Sequence, residues 1–212
     1  MFLSRVEIDV YNRRKLKDLM HVGAYHNWVE QSFPDEVAHS IRTRKLWRID
    51  EVKGKKYLLV LSQNKPDIKL LECYGVANTA ATKDYDTFLN QIQQGQRMRF
   101  RVVLNPVISL SNKEGKRGNV KPHITLDHQM QFFLERTNKN GFKVNSDEVA
   151  IVEREFVPYR RQGQKLIRLS KVAYEGILEV IDRDIFKRIL VEGYGKKKAY
   201  GFGLMTVIPI EK

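Results

Sequence analysis

Apolar and polar positions along the chain form two kinds of pattern, each confined to short segments. The two classes alternate in residues 6–10 and again in residues 97–104, which is typical of half-buried strands. Apolar residues at spacings of three and four, as at Leu16, Leu19 and Met20, predict a helix instead. The chain therefore mixes short strands with short helices, and the order of these elements indicates the fold.

In the first half, the pattern predicts a strand, a helical region, three further strands and a helix. The helical region begins after Asn12, a candidate N-cap, and ends at Pro34. The strands are predicted at 2–10, 44–50, 55–62 and 69–74, and the closing helix at 85–94. A turn at Gly54 joins the second and third of these strands.

The second half repeats this succession. A strand at 97–104 ends at Asn105-Pro106, and Asp182 is a candidate N-cap for a later helix. The remaining elements are a polar loop at 109–122, a helix at 126–136, strands at 149–157 and 166–181, a basic turn at 159–165, the helix from Asp182 to Leu190 and a strand at 200–208. A break in the long strand is expected near Lys171.

Each half approximates the order β-α-β-β-α-β. We therefore predict an α+β fold of two tandem ferredoxin-like (RRM-like) domains, at residues 1–92 and 97–212. This architecture serves many functions, so the fold alone does not identify one.

Composition excludes several classes of protein. The chain has 212 residues, 42% of them hydrophobic and 30% charged, which is typical of a globular protein rather than a disordered one. No apolar run approaches the ~18 residues of a spanning helix, and the first ten residues carry charges where a signal peptide has an apolar core. Cys73 is the single cysteine, which excludes an internal disulfide and a cysteine-based zinc site. We expect a cytoplasmic protein without a membrane partner.

Positive charge is concentrated in the second half. Residues 1–96 contain 15 Lys and Arg against 12 Asp and Glu, whereas residues 97–212 contain 23 against 13. Such an excess attracts polyanions, and nucleic acid is the commonest of them. The alternative is a solvated basic surface that keeps the protein soluble.

A glycine-rich loop near the C-terminus combines flexibility with charge. It contains Gly193, Gly195, Gly201 and Gly203 together with Lys196, Lys197 and Lys198. Glycines allow backbone N–H groups to approach a phosphate closely, and the lysines add charge. No Gly-Lys-Ser/Thr occurs, so the loop is not a P-loop. We predict that Gly193, Gly195, Lys196, Lys197, Lys198 and Gly201 hold an anionic backbone, such as that of a nucleic acid, the alternative being a flexible turn with solvated lysines.

Two other basic segments are candidates for RNA binding. Arg160, Arg161 and Lys165 lie in the turn at 159–165, which should project as a hairpin and reach phosphates with bidentate arginine contacts. The second segment is the loop at 113–121, with Lys116, Arg117 and Lys121. The alternative for each segment is a solvated turn that binds nothing.

Several short motifs occur in one order along the chain. They are Met1-Phe2-Leu3-Ser4-Arg5-Val6, His26 followed by Ser32-Phe33-Pro34, Leu46-Trp47-Arg48-Ile49, Leu104-Asn105-Pro106 and the glycine-rich loop. Together they resemble the CRISPR repeat-processing endoribonucleases of type I-E systems, the CasE family, over the whole chain. The resemblance implies two ferredoxin-like domains and metal-independent cleavage of precursor CRISPR RNA at the base of the repeat hairpin. It also implies no cofactor, retention of the product with the other subunits of the Cascade complex, and a monomer when the protein is isolated.

Metal-free RNA cleavage uses the 2′-hydroxyl as nucleophile and leaves a 2′,3′-cyclic phosphate and a 5′-hydroxyl. This reaction needs a base, an acid and positive charge at the phosphate, and histidine suits the proton transfers. The chain has five candidates: His21, His26, His39, His123 and His128. In the family that the chain resembles, the catalytic histidine precedes the Phe-Pro pair by seven residues, which implies His26. His123 and His128 could be metal ligands, but no third ligand has suitable spacing.

Two further residues, Tyr25 and Lys198, are catalytic candidates. Some members of the family carry a tyrosine three residues before the histidine, where this chain has Gly23. Tyr25 is adjacent to His26, although on a helix its side chain points about 100° away. Lys198 could stabilise the charge on the phosphate.

A non-catalytic RNA-hairpin-binding subunit of a ribonucleoprotein is the main alternative function, and a ribosome-associated RNA-binding protein is a third.

Overall fold

A computed structural model of the chain describes residues 1–110, 119–160 and 166–210. The helices are α1 (Arg13–Asp18), α2 (Val22–Gln31), α3 (Pro34–Ala38), α4 (Ile68–Leu71), α5 (Asp86–Gln91), α6 (Leu126–Thr137) and α7 (Arg183–Glu192). The strands are β1 (Phe2–Glu7), β2 (Leu46–Val52), β3 (Lys55–Ser62), β4 (Ala81–Asp84), β5 (Arg97–Leu104), β6 (Val107–Leu110), β7 (Asn119–Pro122), β8 (Phe142–Lys143), β9 (Val149–Tyr159), β10 (Ile167–Val180) and β11 (Met205–Pro209). Within these ranges, no helix combines the length and the apolar composition needed to cross a bilayer.

Each half of the chain builds one antiparallel sheet. The first has the strand order β2-β3-β1-β4, and the second has β11-β5-β10-β8 with β9 paired to β10. In the first sheet β1 and β3 lie at the centre, between β2 and β4. In the second sheet β5 and β10 lie at the centre, with β11 on one side and both β8 and β9 on the other. This is the order of a ferredoxin-like sheet, so the predicted α+β fold with two such units is confirmed.

Several elements differ from their predicted form. The apolar residues after Asp67 form helix α4 rather than a strand, because the Asp67 side chain accepts a hydrogen bond from the Leu70 N–H and caps the helix. The fourth strand of the first sheet is instead β4. Strands β6 and β7 pair with each other in a segment predicted as a loop, and β10 continues past Lys171 with its irregularity between Ala173 and Tyr174.

The two sheets share a hydrophobic core. Leu46 and Leu61 of the first sheet belong to the same buried cluster as Met98, Phe100 and Phe133 of the second half. The connection between the halves is short, since α5 ends at Gln91 and β5 begins at Arg97. The division into domains at 1–92 and 97–212 stays a prediction, but side chains from both halves pack together.

A buried arginine crosses the boundary between the sheets. Arg48 on β2 is 1% exposed, and its guanidinium donates to the carbonyl oxygens of Arg101 and Leu204 at 2.9 and 2.8 Å. It also donates to the Asp50 carboxylate at 2.7 and 2.6 Å and to the Thr206 hydroxyl at 2.8 Å. Burial acts to raise the pKa of Asp50, but the hydrogen bonds and charge of Arg48, together with the charge of Arg101, lower it overall. The charge of Arg48 is thus compensated, and its polar contacts fix β2 against β5 and the residues around β11.

Candidate active site

Helix α2 carries His26 to the junction of the two halves. Trp28 and Val29 on the same helix are buried in the core of the first half and anchor it there. The His26 side chain, 20% exposed, lies edge-on to the ring of Tyr200 from the second half, with ring centroids 5.5 Å apart. The imidazole therefore lies where residues from both halves can surround a substrate.

Three polar groups surround the His26 ring. An Nη2 atom of Arg42 lies 2.8 Å from His26 Nε2, and Glu30 Oε1 lies 3.8 Å from His26 Nδ1. Burial lowers the pKa of His26, the charge of Glu30 opposes this, and the charges of Arg42 and Lys45 lower it further. A lowered pKa favours the neutral form of the ring, which is the form that acts as a general base.

A buried ion cluster holds the segment that carries Arg42. Lys45 Nζ lies 2.7 Å from Glu36 Oε2 and 3.5 Å from Glu30 Oε2, and its side chain is 1% exposed. Burial acts to raise the pKa of Glu36, but hydrogen bonds from Lys45, Thr43 and Asn64 lower it to about 2. This cluster fixes the backbone at Thr43 and Lys45 and so holds Arg42 beside α2.

The glycine-rich loop is held against β2 by close packing. The indole Nε1 of Trp47 donates to the carbonyl oxygen of Ala199 at 3.0 Å. Gly201 has a φ of +84°, and a Cβ there would lie 2.8 Å from the Trp47 ring. At Gly193, also at positive φ, a Cβ would lie 2.7 Å from Leu46. Packing on β2 thus requires glycine at these two positions, and their predicted contact with RNA stays a prediction.

The lysines of the glycine-rich loop occupy different environments. Lys196 and Lys197 are exposed, and Lys197 Nζ lies 4.8 Å from the centroid of the Tyr159 ring. Lys198 is partly buried in a single 3₁₀ turn, Lys198–Tyr200, that also carries the Tyr200 ring to His26. Burial and the nearby charge of Arg44 lower the pKa of Lys198, and Glu192 opposes them. Of the three lysines, Lys198 is the one on the turn that reaches His26.

Tyr25 lies in a different environment from His26, its neighbour on α2. Its ring stacks on Trp47 with centroids 5.8 Å apart, and burial raises the pKa of its hydroxyl while the charge of Lys171 opposes this. Tyr25, Trp47 and Lys171 line a small pocket of about 160 Å³ between the halves. The catalytic role of Tyr25 stays a prediction.

Gly23 occupies the position three residues before His26 where a tyrosine was considered, and its surroundings explain why the residue is small. A Cβ at this position would lie 2.9 Å from Nδ1 of His21. That nitrogen is buried and has no hydrogen-bond partner within residues 1–110, 119–160 and 166–210. The His21 ring thus occupies space beside Gly23 that a larger side chain would need.

The predicted RNA-binding residues fall in several places. Arg160 is exposed, and its carbonyl oxygen lies 3.9 Å from the position of a Cβ on Gly23, beside the first turn of α2. Lys121 on β7 lines a groove of about 840 Å³ together with Gly195 and Lys196. The remaining candidates, Lys116, Arg117, Arg161 and Lys165, lie outside the residues that the structure describes.

His21 lines the small pocket between the halves, whereas His123 and His128 lie elsewhere. The rings of His123 and His128 have centroids 5.9 Å apart and line the groove beside Lys121. No group of three or more potential metal-ligating His, Cys, Asp or Glu side chains occurs in the part of the chain that the structure describes.

Sequence reasoning missed the side chains that surround His26. Arg42, Glu30, Lys45 and Tyr200 belong to no recognised motif. Glu30 could have been found from its spacing, because it follows His26 by four residues on one helix face. Arg42 lies in an irregular segment before β2, where the basic run Arg42-Thr43-Arg44-Lys45 was its one visible signal.

Comparisons with known proteins find relatives that match almost the whole chain. A family model described as CRISPR associated protein matches residues 1–209. The CRISPR-associated endoribonuclease Cse3 of Thermus thermophilus is 29% identical over 220 residues, covering 99% of this chain and 100% of that relative. A structure of CRISPR endoribonuclease Cse3 bound to a 19-nucleotide RNA superposes with a TM-score of 0.81 at 26% identity, over 99% of this chain and 100% of that one. A chain of a CRISPR RNA-guided surveillance complex has the same fold, with a TM-score of 0.72 at 21% identity and coverage of 99% and 100%.

Proposed function

The chain belongs to the CRISPR associated protein family, which confirms its resemblance to CasE proteins, and we propose that it is an endoribonuclease that cleaves precursor CRISPR RNA within the repeat. The observation that carries this proposal is the position of the His26 imidazole at the junction of the two halves, beside Arg42 and the turn that begins at Lys198. Such a site combines a general base with cations that can hold a phosphate.

The partners that we propose are the CRISPR repeat hairpin and the other subunits of a Cascade complex. The RNA-bound Cse3 relative supports the first of these, and the fold shared with a chain of a surveillance complex supports the second. The chain's net charge of +13 favours a polyanionic partner. Product retention in the complex and a monomeric state before assembly are part of the same proposal.

The proposed reaction needs no metal ion. His26 Nε2 takes the proton of the 2′-hydroxyl, and the 2′-oxygen forms a bond to the adjacent phosphorus. The bond from phosphorus to the 5′-oxygen breaks, and that oxygen takes a proton from water. The products are a 2′,3′-cyclic phosphate and a 5′-hydroxyl, and the Lys198 ammonium balances the charge that grows on the phosphate oxygens in the transition state.

Cleavage in EDTA tests this function. We expect purified protein to cut a repeat hairpin in the presence of EDTA and to leave a cyclic phosphate, detected by mass spectrometry. The control is the same RNA with a 2′-deoxy nucleotide before the scissile phosphate, which should bind but stay intact because it lacks the nucleophile. Binding without cleavage of either RNA would instead establish a non-catalytic RNA-binding subunit, and a strict requirement for metal would contradict the mechanism.

Lys198→Ala separates the charge of the glycine-rich loop from its shape. We expect the single-turnover rate to fall on the order of 10-fold, less than the ~10²–10³ found for donors in water-free sites, because Lys198 is only partly buried. Lys198→Arg keeps the charge and should recover part of the rate. The control is Lys17→Ala, which removes an exposed lysine on α1. If Lys198→Ala and Lys17→Ala cleave equally fast, Lys198 has no part in the chemistry.

A further inference from the structure

Arg42 occupies the position from which His26 would receive a proton. Its Nη2 lies 2.8 Å from His26 Nε2, and its Nε lies 3.2 Å from Glu30 Oε2. A guanidinium has only donors and does not lose its proton in proteins. In this contact Nε2 must therefore be the acceptor, which leaves the imidazole proton on Nδ1, the nitrogen that faces Glu30.

This arrangement prepares the base and at the same time covers it. The lone pair of Nε2 is the one that would accept the proton of the 2′-hydroxyl, yet it accepts a hydrogen bond from Arg42. Lys45 faces His26 as well, but it is buried and held by Glu36 and Glu30. The Arg42 side chain is 66% exposed, so among these cations it is the one that can change position.

A phosphate beside His26 offers Arg42 a stronger partner than the imidazole does. Guanidinium and phosphate form two parallel charge-assisted hydrogen bonds, whereas a neutral ring nitrogen accepts one. Resting on the proposed endoribonuclease function, we propose that Arg42 has two positions. Without RNA it donates to Nε2 of His26, and with RNA bound it moves to the scissile phosphate and uncovers Nε2 for the 2′-hydroxyl.

The proposal makes Arg42 a positioning residue in the free protein and a catalytic residue in the complex. In the free protein it selects the Nδ1–H tautomer of His26. In the complex its charge stabilises the phosphate oxygens as the 2′-oxygen attacks. The groups that face the His26 ring are Glu30 from α2, Arg42 and Lys45 from the segment before β2, and Tyr200 from the 3₁₀ turn.

Arg42→Gln and Arg42→Lys test the two positions separately, with Arg14→Gln as the control for loss of an exposed arginine. NMR titration of ¹³C-labelled histidine in the RNA-free protein should show a higher pKa of His26 in Arg42→Gln, because Glu30 remains while one lowering charge is lost. Single-turnover cleavage at saturating Arg42→Gln should be slower than that of the control by about 10-fold or more. Arg42→Lys should lie between Arg42→Gln and the wild type, since it keeps the charge without the guanidinium geometry.

Binding of the 2′-deoxy repeat RNA reports the second position without any chemistry. Each phosphate contact contributes about 0.9 to the slope of log affinity against log salt, so Arg42→Gln should flatten this slope by about 1 relative to Arg14→Gln. Equal slopes and equal cleavage rates in Arg42→Gln and Arg14→Gln would overturn the proposal, even if the pKa of His26 moves.

Failure of this proposal is distinguishable from failure of the proposed function. If wild-type protein cleaves and His26→Ala does not, the endoribonuclease function stands whatever Arg42→Gln shows. If wild-type protein binds the repeat hairpin without cutting it, the function is wrong and Arg42 has no catalytic position.

Discussion

Cleavage of the repeat hairpin is expected to fall by about 10²–10⁴-fold in His26→Ala, because the variant loses the group that we propose accepts the proton of the 2′-hydroxyl. Affinity for the hairpin should change little, since the neutral imidazole contributes no charge to phosphate binding. The fold should also persist, because Trp28 and Val29, rather than His26, anchor α2 in the core. Single-turnover rates at saturating protein, measured beside the dissociation constant, check both parts.

His39→Ala is the matched control for this substitution. His39 is exposed at the end of α3, and its Nδ1 lies 2.7 Å from the carbonyl oxygen of Asp35 in the same local turn. This variant should cleave at the wild-type rate. A folded His26→Ala protein with near-normal cleavage would exclude His26 as the base and move the active site elsewhere.

Gly201→Ala is expected to destabilise the protein and to displace the turn that carries Lys198 and Tyr200. The new Cβ would lie 2.8 Å from the Trp47 ring, which is closer than packed carbon atoms approach each other. Overpacking of this kind costs about 1–3 kcal/mol. The positive φ of Gly201 adds the cost of the left-handed conformation, about 1–2 kcal/mol.

Gly54→Ala isolates the steric part of that effect. Gly54 also has a positive φ, +73°, but the structure places none of the atoms that it describes within 4 Å of a Cβ there. Urea unfolding should therefore show a loss of about 1–3 kcal/mol more in Gly201→Ala than in Gly54→Ala. Equal losses in the two variants would mean that contact with Trp47 contributes nothing to the stability of the glycine-rich loop.

Local patterns identified the elements whose conformation is determined locally. The alternation in residues 97–104 predicted β5 with its observed bounds, and Asp182 caps α7 as predicted by accepting from the Ile185 N–H. The apolar run at 69–74 misled the prediction because periodicity does not distinguish a short strand from a short helix. The hydrogen bond from the Leu70 N–H to the Asp67 side chain stabilises the helix there.

The candidate site depended on contacts between distant parts of the chain. His26 was found through its spacing from Phe33, but Arg42 and Tyr200 reach it from an irregular segment and from a turn 174 residues later, counted from His26. Contact of the glycines with RNA stays a prediction, and the sequence did not show that two of them also approach Leu46 and Trp47. No local pattern shows which partner a glycine makes room for, since that partner lies in another part of the sequence.

The buried guanidinium of Arg48 has a consequence for synthesis of the protein on the ribosome. Its acceptors include Leu204 and Thr206, more than 150 positions later, so the growing chain cannot complete its hydrogen bonds until Thr206 has been made. Until then the Arg48 guanidinium must stay hydrated, because burying a charge without its partners is costly. The side chains of Leu46 and Trp47, against which the glycine-rich loop packs, stay uncovered for the same time. Since Tyr200 reaches His26 from that same loop, the candidate site around His26 is incomplete in a nascent chain until Tyr200 has been made.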